Sequence, residues 1–172
     1  MRKEAGFTLL ELLVTVAVLA ILVGIGVPAY GKLVADQRLS TATNRLVFAV
    51  HLPRSEAVLR NARVTLCNSA DGVFCADGGG WEQGWIVFVD RDGTGQRAAD
   101  DPLIAVEEAP PGVVITGNSS VQRYVSYIGL GSTRRASGAL QMGTITLCAG
   151  SEGRQLVISR TGRPRLQIGG CA

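Results

Sequence analysis

Apolar residues follow two different patterns along the chain. From Leu12 to Val27, sixteen consecutive residues include one polar side chain, Thr15. Phe7 to Tyr30 spans 24 residues, roughly 36 Å as a helix, which is enough to cross a bilayer. The run is apolar all round, unlike a core helix with one buried stripe. It therefore predicts a single-pass membrane anchor, with Arg2 and Lys3 holding the N-terminal end inside. Secretory cleavage needs a small-x-small site after the run, and Val27-Pro28-Ala29-Tyr30 is a poor one. Gly24, Gly26 and Pro28 predict a bend or melted turn. Beyond it, Leu33, Leu39, Leu46, Val50, Ala57 and Val58 recur at helical spacing, so the helix is expected to resume and continue to about Asn61. Leu46 to Val50 and Ala57 are expected to pack on the remainder of the chain. Pro53 predicts a kink or a break.

From Arg63 onward the pattern shortens to strand-like runs between Gly, Pro, Asn and Asp clusters. The runs are 64–67, 85–89, 103–106, 113–116, 124–128, 144–148, 156–160 and 165–168. Eight short strands predict two packed antiparallel sheets against the C-terminal half of the helix. The fold class is thus α+β, and no internal repeat or low-complexity tract interrupts it. Composition agrees with a turn-rich β unit: 22 of 172 residues are Gly, and 47% are hydrophobic.

Charge changes the picture because it is segregated. Residues 1–66 sum to +4, residues 67–120 to −7 and residues 121–172 to +6. The last segment has one acid, Glu152, and its cations are all arginine: Arg123, Arg134, Arg135, Arg154, Arg160, Arg163 and Arg165. Arginine grips phosphate through a planar fork, so an Arg-only block points to anionic partners. The four cysteines, Cys67, Cys75, Cys148 and Cys171, form no CxxC pair. A translocated location favours disulfides, and pairing Cys67 with Cys75 and Cys148 with Cys171 closes one local loop each.

Glu11 is out of place in an apolar helix, where a carboxylate costs about 2.5–3.5 kcal/mol on insertion scales and calls for a partner. Gly6-Phe7-Thr8-Leu9-Leu10-Glu11-Leu12 resembles the class III signal of type IV pilins and type II secretion pseudopilins. The resemblance implies a leader, residues 1–6, removed by prepilin peptidase between Gly6 and Phe7. It also implies N-methylation of Phe7 and a role for Glu11 in assembly with other pilins or pseudopilins. A charged amine on one subunit facing the carboxylate of a neighbour turns a costly lone ion into a register-setting pair. The implied organisation is the leader, a transmembrane and spine helix over 7–61, and a β-rich head over 62–172. The helix would sit in the inner membrane with the head in the periplasm, and the subunit would be open to incorporation into a pilus or pseudopilus.

Further residues extend the likeness: Arg54-Ser55-Glu56-Ala57 with Arg60-Asn61, Val64-Thr65-Leu66-Cys67, Gly84-Trp85-Ile86-Val87-Phe88-Val89-Asp90 and Gly162-Arg163-Pro164-Arg165. Together these resemble the GspH/FimT family of type IV pilin-like proteins, which unites type II secretion pseudopilin H with the FimT and FimU minor pilins. Pro53 departs from the family's uninterrupted helix. Thr161-Gly162 reads as a tight hairpin turn, with Gly supplying positive φ. Pro164 pushes Arg163 toward extended geometry, so Arg163 and Arg165 are expected on one face, with Leu166 and Ile168 facing inward and Arg160 across the turn. In FimT minor pilins a GRxR motif of this form is associated with binding extracellular DNA for uptake. The resemblance implies Arg163 and Arg165 as phosphate contacts, presented by Gly162. Only two aromatic residues, Tyr124 and Tyr127, lie in the block, so the expected binding is sequence-nonspecific and salt-sensitive rather than base-stacking. The alternative is a structural minor pseudopilin H of a type II secretion system, without DNA binding.

Asp90-Arg91-Asp92-Gly93-Thr94-Gly95 resembles the start of a calcium loop, but Asp101 occupies the twelfth position where Glu is expected. An Asp- and Gly-rich turn is the expectation there, and no metal site or cofactor is expected. His51 stands alone on the helix, and Asp100-Asp101 and Glu107-Glu108 are expected to point into water, so no catalysis is expected.

Overall fold

A computed structural model describes residues 8–108 and 110–171, so Gly6 and Phe7 lie outside the described residues. The chain divides into two compact units, Met1–Val34 and Ala35–Ala172, and one helix, α1 (Leu9–Arg60), contributes to both. Thr8 caps its start: the Thr8 hydroxyl accepts a hydrogen bond from the Glu11 amide at 3.3 Å. Leu9 to Val27 are exposed, and the most apolar 18-residue window has a mean hydropathy of 2.6, long and apolar enough to cross a membrane.

The helix continues through Gly24, Gly26 and Pro28, so the expected melted turn is absent. Nor is the helix broken at Pro53. The ring is buried there and leaves the Ala49 carbonyl without its i+4 amide, while the Ser55 hydroxyl lies 3.3 and 2.9 Å from the His51 and Leu52 carbonyls. Tertiary packing thus overrides the local cost of the imino acid. The helix ends where Asn61 adopts φ 47°, with Asn61 N donating to Val58 O and Ala62 N to Ala57 O. That is a Schellman ending, with Asn in the position usually given to Gly.

In the second unit, Leu39, Ala42, Leu46, Ala49, Val50 and Ala57 form the buried stripe of α1, whereas Leu33 and Val58 are exposed. The stripe shares one core with residues of two antiparallel four-stranded sheets. The strands are β1 (Val64–Asn68), β2 (Trp85–Val89), β3 (Leu103–Glu107), β4 (Val114–Gly117), β5 (Tyr124–Tyr127), β6 (Gly143–Ala149), β7 (Glu152–Ile158) and β8 (Pro164–Ile168). The first sheet runs β3-β2-β1-β5 and the second β4-β6-β7-β8. All five residues of β1 are buried, as befits the strand between β2 and β5. A short 3₁₀ turn, Trp81–Gln83, places Trp81 in the core, where its indole N–H donates to Val121 O at 3.0 Å. Disulfides join Cys67 to Cys75 and Cys148 to Cys171, the two local pairings.

Candidate functional site

The hairpin between β7 and β8 is a three-residue loop, Arg160-Thr161-Gly162, rather than a two-residue turn. Gly162 N donates to Ser159 O at 2.9 Å, and Ser159 N donates to Arg163 O at 3.1 Å across the closing pair. Gly162 takes φ 77°, so an i→i+3 turn followed by a left-handed glycine makes the loop. The Ser159 hydroxyl accepts from Arg163 N at 3.1 Å and pairs with the Thr161 hydroxyl at 3.0 Å, tying down both sides of the tip.

Gly162 is buried while its neighbours are exposed. A Cβ at this position would stand 2.9 Å from Gly131 O, 2.9 Å from the Tyr127 ring and 3.2 Å from Thr133 N. The buried Tyr127 hydroxyl donates to Gly162 O at 2.9 Å, and burial pushes this phenol well above its ordinary pKa. The hairpin is therefore seated on β5 and the 128–133 loop by a backbone contact that only glycine permits. Tyr127→Phe leaves the Gly162 carbonyl unpaired in a buried place and is expected to cost about 1–2 kcal/mol. Thermal unfolding followed by tryptophan fluorescence checks this, since Trp81 and Trp85 are both buried in the β-rich unit.

Arg160, Arg163 and Arg165 are exposed, and among the described residues none of their guanidinium groups has a hydrogen-bond or ion-pair partner. The other arginines of the basic block differ. Arg154 Nη2 donates to Ser40 Oγ at 2.9 Å and lies 3.5 Å from Asp36, so it ties β7 to α1. Arg135 donates to Ser120 Oγ at 2.6 Å, and Arg134 reaches Gly138 O at 3.5 Å. Arg123 is exposed. A cation that sequence reasoning did not place here is Arg54: a Cβ on Gly131 would lie 3.5 Å from its Nε, and its charge acts on Tyr127. The only sequence signal was its place in the family likeness.

Leu166 and Ile168 lie on the face of the sheet that carries Leu156 and Arg154, yet they are not buried: they are 48% and 96% exposed. Leu166 stands opposite the buried Leu156, but β8 is the outer strand of its sheet and the core's cover stops at β7. His51 is exposed. Asp101 does not point into water: it is buried and accepts amide hydrogen bonds from Arg91 and Ala98, whereas Asp100 is exposed.

Residues 1–27 match the prokaryotic N-terminal methylation motif. No curated protein matches the chain. The chain is similar to the type IV minor pilin FimU of Pseudomonas aeruginosa strain PAO1 in two crystal forms. One has a TM-score of 0.59 at 20% identity, covering 77% of this chain and 90% of the chain in that crystal structure. The other has a TM-score of 0.55 at 20% identity, covering 74% and 91%. At that identity the likeness shows the fold, a long helix followed by antiparallel sheets. Residues 42–162 match the family described as Type II transport protein GspH, a match that reaches the hairpin glycine and stops before its two arginines. With that match over most of its length and a pilin fold, the chain belongs to the GspH family of pilin-like proteins.

Proposed function

We propose that the chain is a minor pilin whose β7–β8 hairpin binds duplex DNA through its phosphates for DNA uptake. The observation that carries this reading is the contrast within the basic block. Arg160, Arg163 and Arg165 are exposed around a rigidly seated glycine, while Arg154 and Arg135 are engaged internally. The planar guanidinium fork matches a phosphate, and contacts to phosphate carry no sequence information, so binding is sequence-tolerant. Prepilin peptidase cleaves after Gly6, Phe7 is N-methylated, and Glu11 pairs with a neighbouring subunit's amine. The apolar half of α1 anchors the subunit in the inner membrane with its head in the periplasm. The hairpin is a binding site, not a catalytic one.

The test is binding of the full chain, in non-ionic detergent, to labelled duplexes of unrelated sequence at two salt concentrations. Three phosphate contacts give a log–log salt slope of about −3, and Arg163→Gln/Arg165→Gln reduces its magnitude by about 2 while leaving the melting transition in place. Absence of binding at low salt by the folded wild type overturns the reading. The second reading, a structural pseudopilin of a secretion system, is then favoured. It draws on the family match and on the exposed Phe48, Val58 and Leu59 of α1, which suit packing against other subunits.

A further inference from the structure

The segment between β2 and β3 gathers a second group of charges, separate from the arginine hairpin. One carboxylate oxygen from each of Asp90, Asp92 and Asp101 lies within 4.8 Å of the other two. Asp90 is 2% exposed and Asp101 3%, while Asp92 opens to solvent. Asp90 Oδ2 accepts from Thr65 Oγ1 at 2.7 Å and from Gly95 N at 3.1 Å. Its other oxygen, Oδ1, is buried with no hydrogen-bond partner among the described residues. Asp101 Oδ1 and Oδ2 accept from Arg91 N at 3.4 Å and Ala98 N at 3.1 Å, and Asp92 Oδ1 accepts from Thr94 N at 3.1 Å and Thr94 Oγ1 at 2.9 Å.

Each carboxylate is thus held by protein donors with one oxygen close to the other two. Three anions so placed repel, and a buried carboxylate oxygen without a partner is a costly state. Arginines stand near, but among the described residues none forms an ion pair with the three carboxylates: Arg63 acts on Asp90 at a distance while its Nη1 donates to Gly93 O at 3.0 Å, Arg97 donates to the Val73 and Asp101 carbonyls at 3.0 and 2.9 Å, and Arg91 turns outward to Asp100 at 3.9 Å.

We propose that Asp90, Asp92 and Asp101 form a divalent-cation site, with calcium as its ion. The donors are all oxygen, which suits a hard cation and disfavours zinc. The spacing agrees: counted from Asp90, Asp92 is third, Thr94 fifth, Gly95 sixth and Asp101 twelfth, the order of a twelve-residue calcium loop. The sixth position needs a glycine here for two reasons. Gly95 has φ 77°, and a Cβ would stand 2.9 Å from the Tyr124 ring. Aspartate at the twelfth position is shorter than the usual glutamate and lowers affinity rather than abolishing it. The bound ion supplies the missing partner of Asp90 Oδ1 and ties the 91–101 segment to the end of β2, steadying the outer strand β3.

The test is independent of DNA binding. The full chain in detergent, stripped with a chelator, is titrated with calcium chloride by calorimetry, and its tryptophan melting transition is followed with and without the ion. Saturable binding is expected with a dissociation constant on the order of 10⁻⁴–10⁻³ M, together with a higher melting temperature. Asp92→Asn, at the exposed ligand, is expected to weaken binding about tenfold or more by removing one charged ligand. In the chelated state this variant melts no lower than wild type, because repulsion is relieved. Asp100→Asn, exposed and outside the cluster, leaves affinity unchanged. The proposal is overturned if calcium at about 10 mM, well above the expected dissociation constant, gives neither heat nor a shift. It is equally overturned if Asp92→Asn and Asp101→Asn bind as wild type does.

Discussion

Gly162→Ala is expected to lower the stability of the β-rich unit by about 3 kcal/mol. Two costs act together. A left-handed backbone costs an L-residue about 1–2 kcal/mol, and forcing a methyl into a packed site costs about 1–3 kcal/mol more. Gly162 has φ 77°, and its new Cβ would stand 2.9 Å from both Gly131 O and the Tyr127 ring. The carbonyl oxygen belongs to backbone, so it cannot swing aside as a side chain would. Gly138→Ala separates the two costs, since Gly138 has φ 82° but nothing within 4 Å of a built Cβ. That variant is expected to lose only the conformational part, about 1–2 kcal/mol. At about 2–4 °C per kcal/mol for a chain of this size, the two melting temperatures should separate by several degrees. Equal shifts would show that the 128–133 loop yields freely. A folded Gly162→Ala protein is also expected to bind DNA more weakly than Gly138→Ala, because the tip that presents Arg160 and Arg163 has moved.

Removing the Cys148–Cys171 disulfide by a Cys148→Ser/Cys171→Ser double replacement is expected to cost about 3 kcal/mol, on a loop-closure estimate for its 23-residue separation. The loop it closes contains β7, the arginine hairpin and β8. A Cβ at the buried Gly153 would stand 2.9 Å from Cys171 Sγ, so the bridge lies directly against the start of β7. The double replacement lets the C-terminal segment leave an outer strand whose own apolar side chains are poorly covered. The Cys67–Cys75 bridge spans only 8 residues, and its removal costs less on the same estimate, about 2.5 kcal/mol. Denaturant unfolding of the two double variants under identical conditions ranks them. The opposite order would mean that burial of Cys67 outweighs loop closure.

These expectations rest on features that were unequally legible in the sequence. The apolar run, the eight strands and the glycine of the arginine hairpin follow from composition and spacing, because membrane-length helices, half-buried strands and positive-φ turns each restrict the residues that serve them. The ends of β7 were misplaced by the pattern, which suggested Leu156 to Arg160, whereas the strand runs from Glu152 to Ile158. Polar residues such as Arg154 and Gln155 pair with β6 through backbone groups that every residue carries. Register against a partner strand decides such positions, and hydrophobicity does not report it.

Pro53 shows the same division. Its ring argues locally for a broken helix, yet burial of Leu46, Val50 and Ala57 in one core keeps α1 continuous. The fate of each charge was also a tertiary matter. Seven arginines look alike in sequence; folding engaged Arg154 with Asp36 and left Arg160, Arg163 and Arg165 in water. Asp100 and Asp101 are neighbours, but one is solvated and the other is buried beside Asp90 and Asp92. By itself, the sequence determined the kinds of elements, the family and the chemistry available, since these depend on residue type and local spacing. Which groups meet, which are already engaged and which remain open was decided only in the tertiary structure, because a side chain's partners lie across strands and loops far apart in the chain.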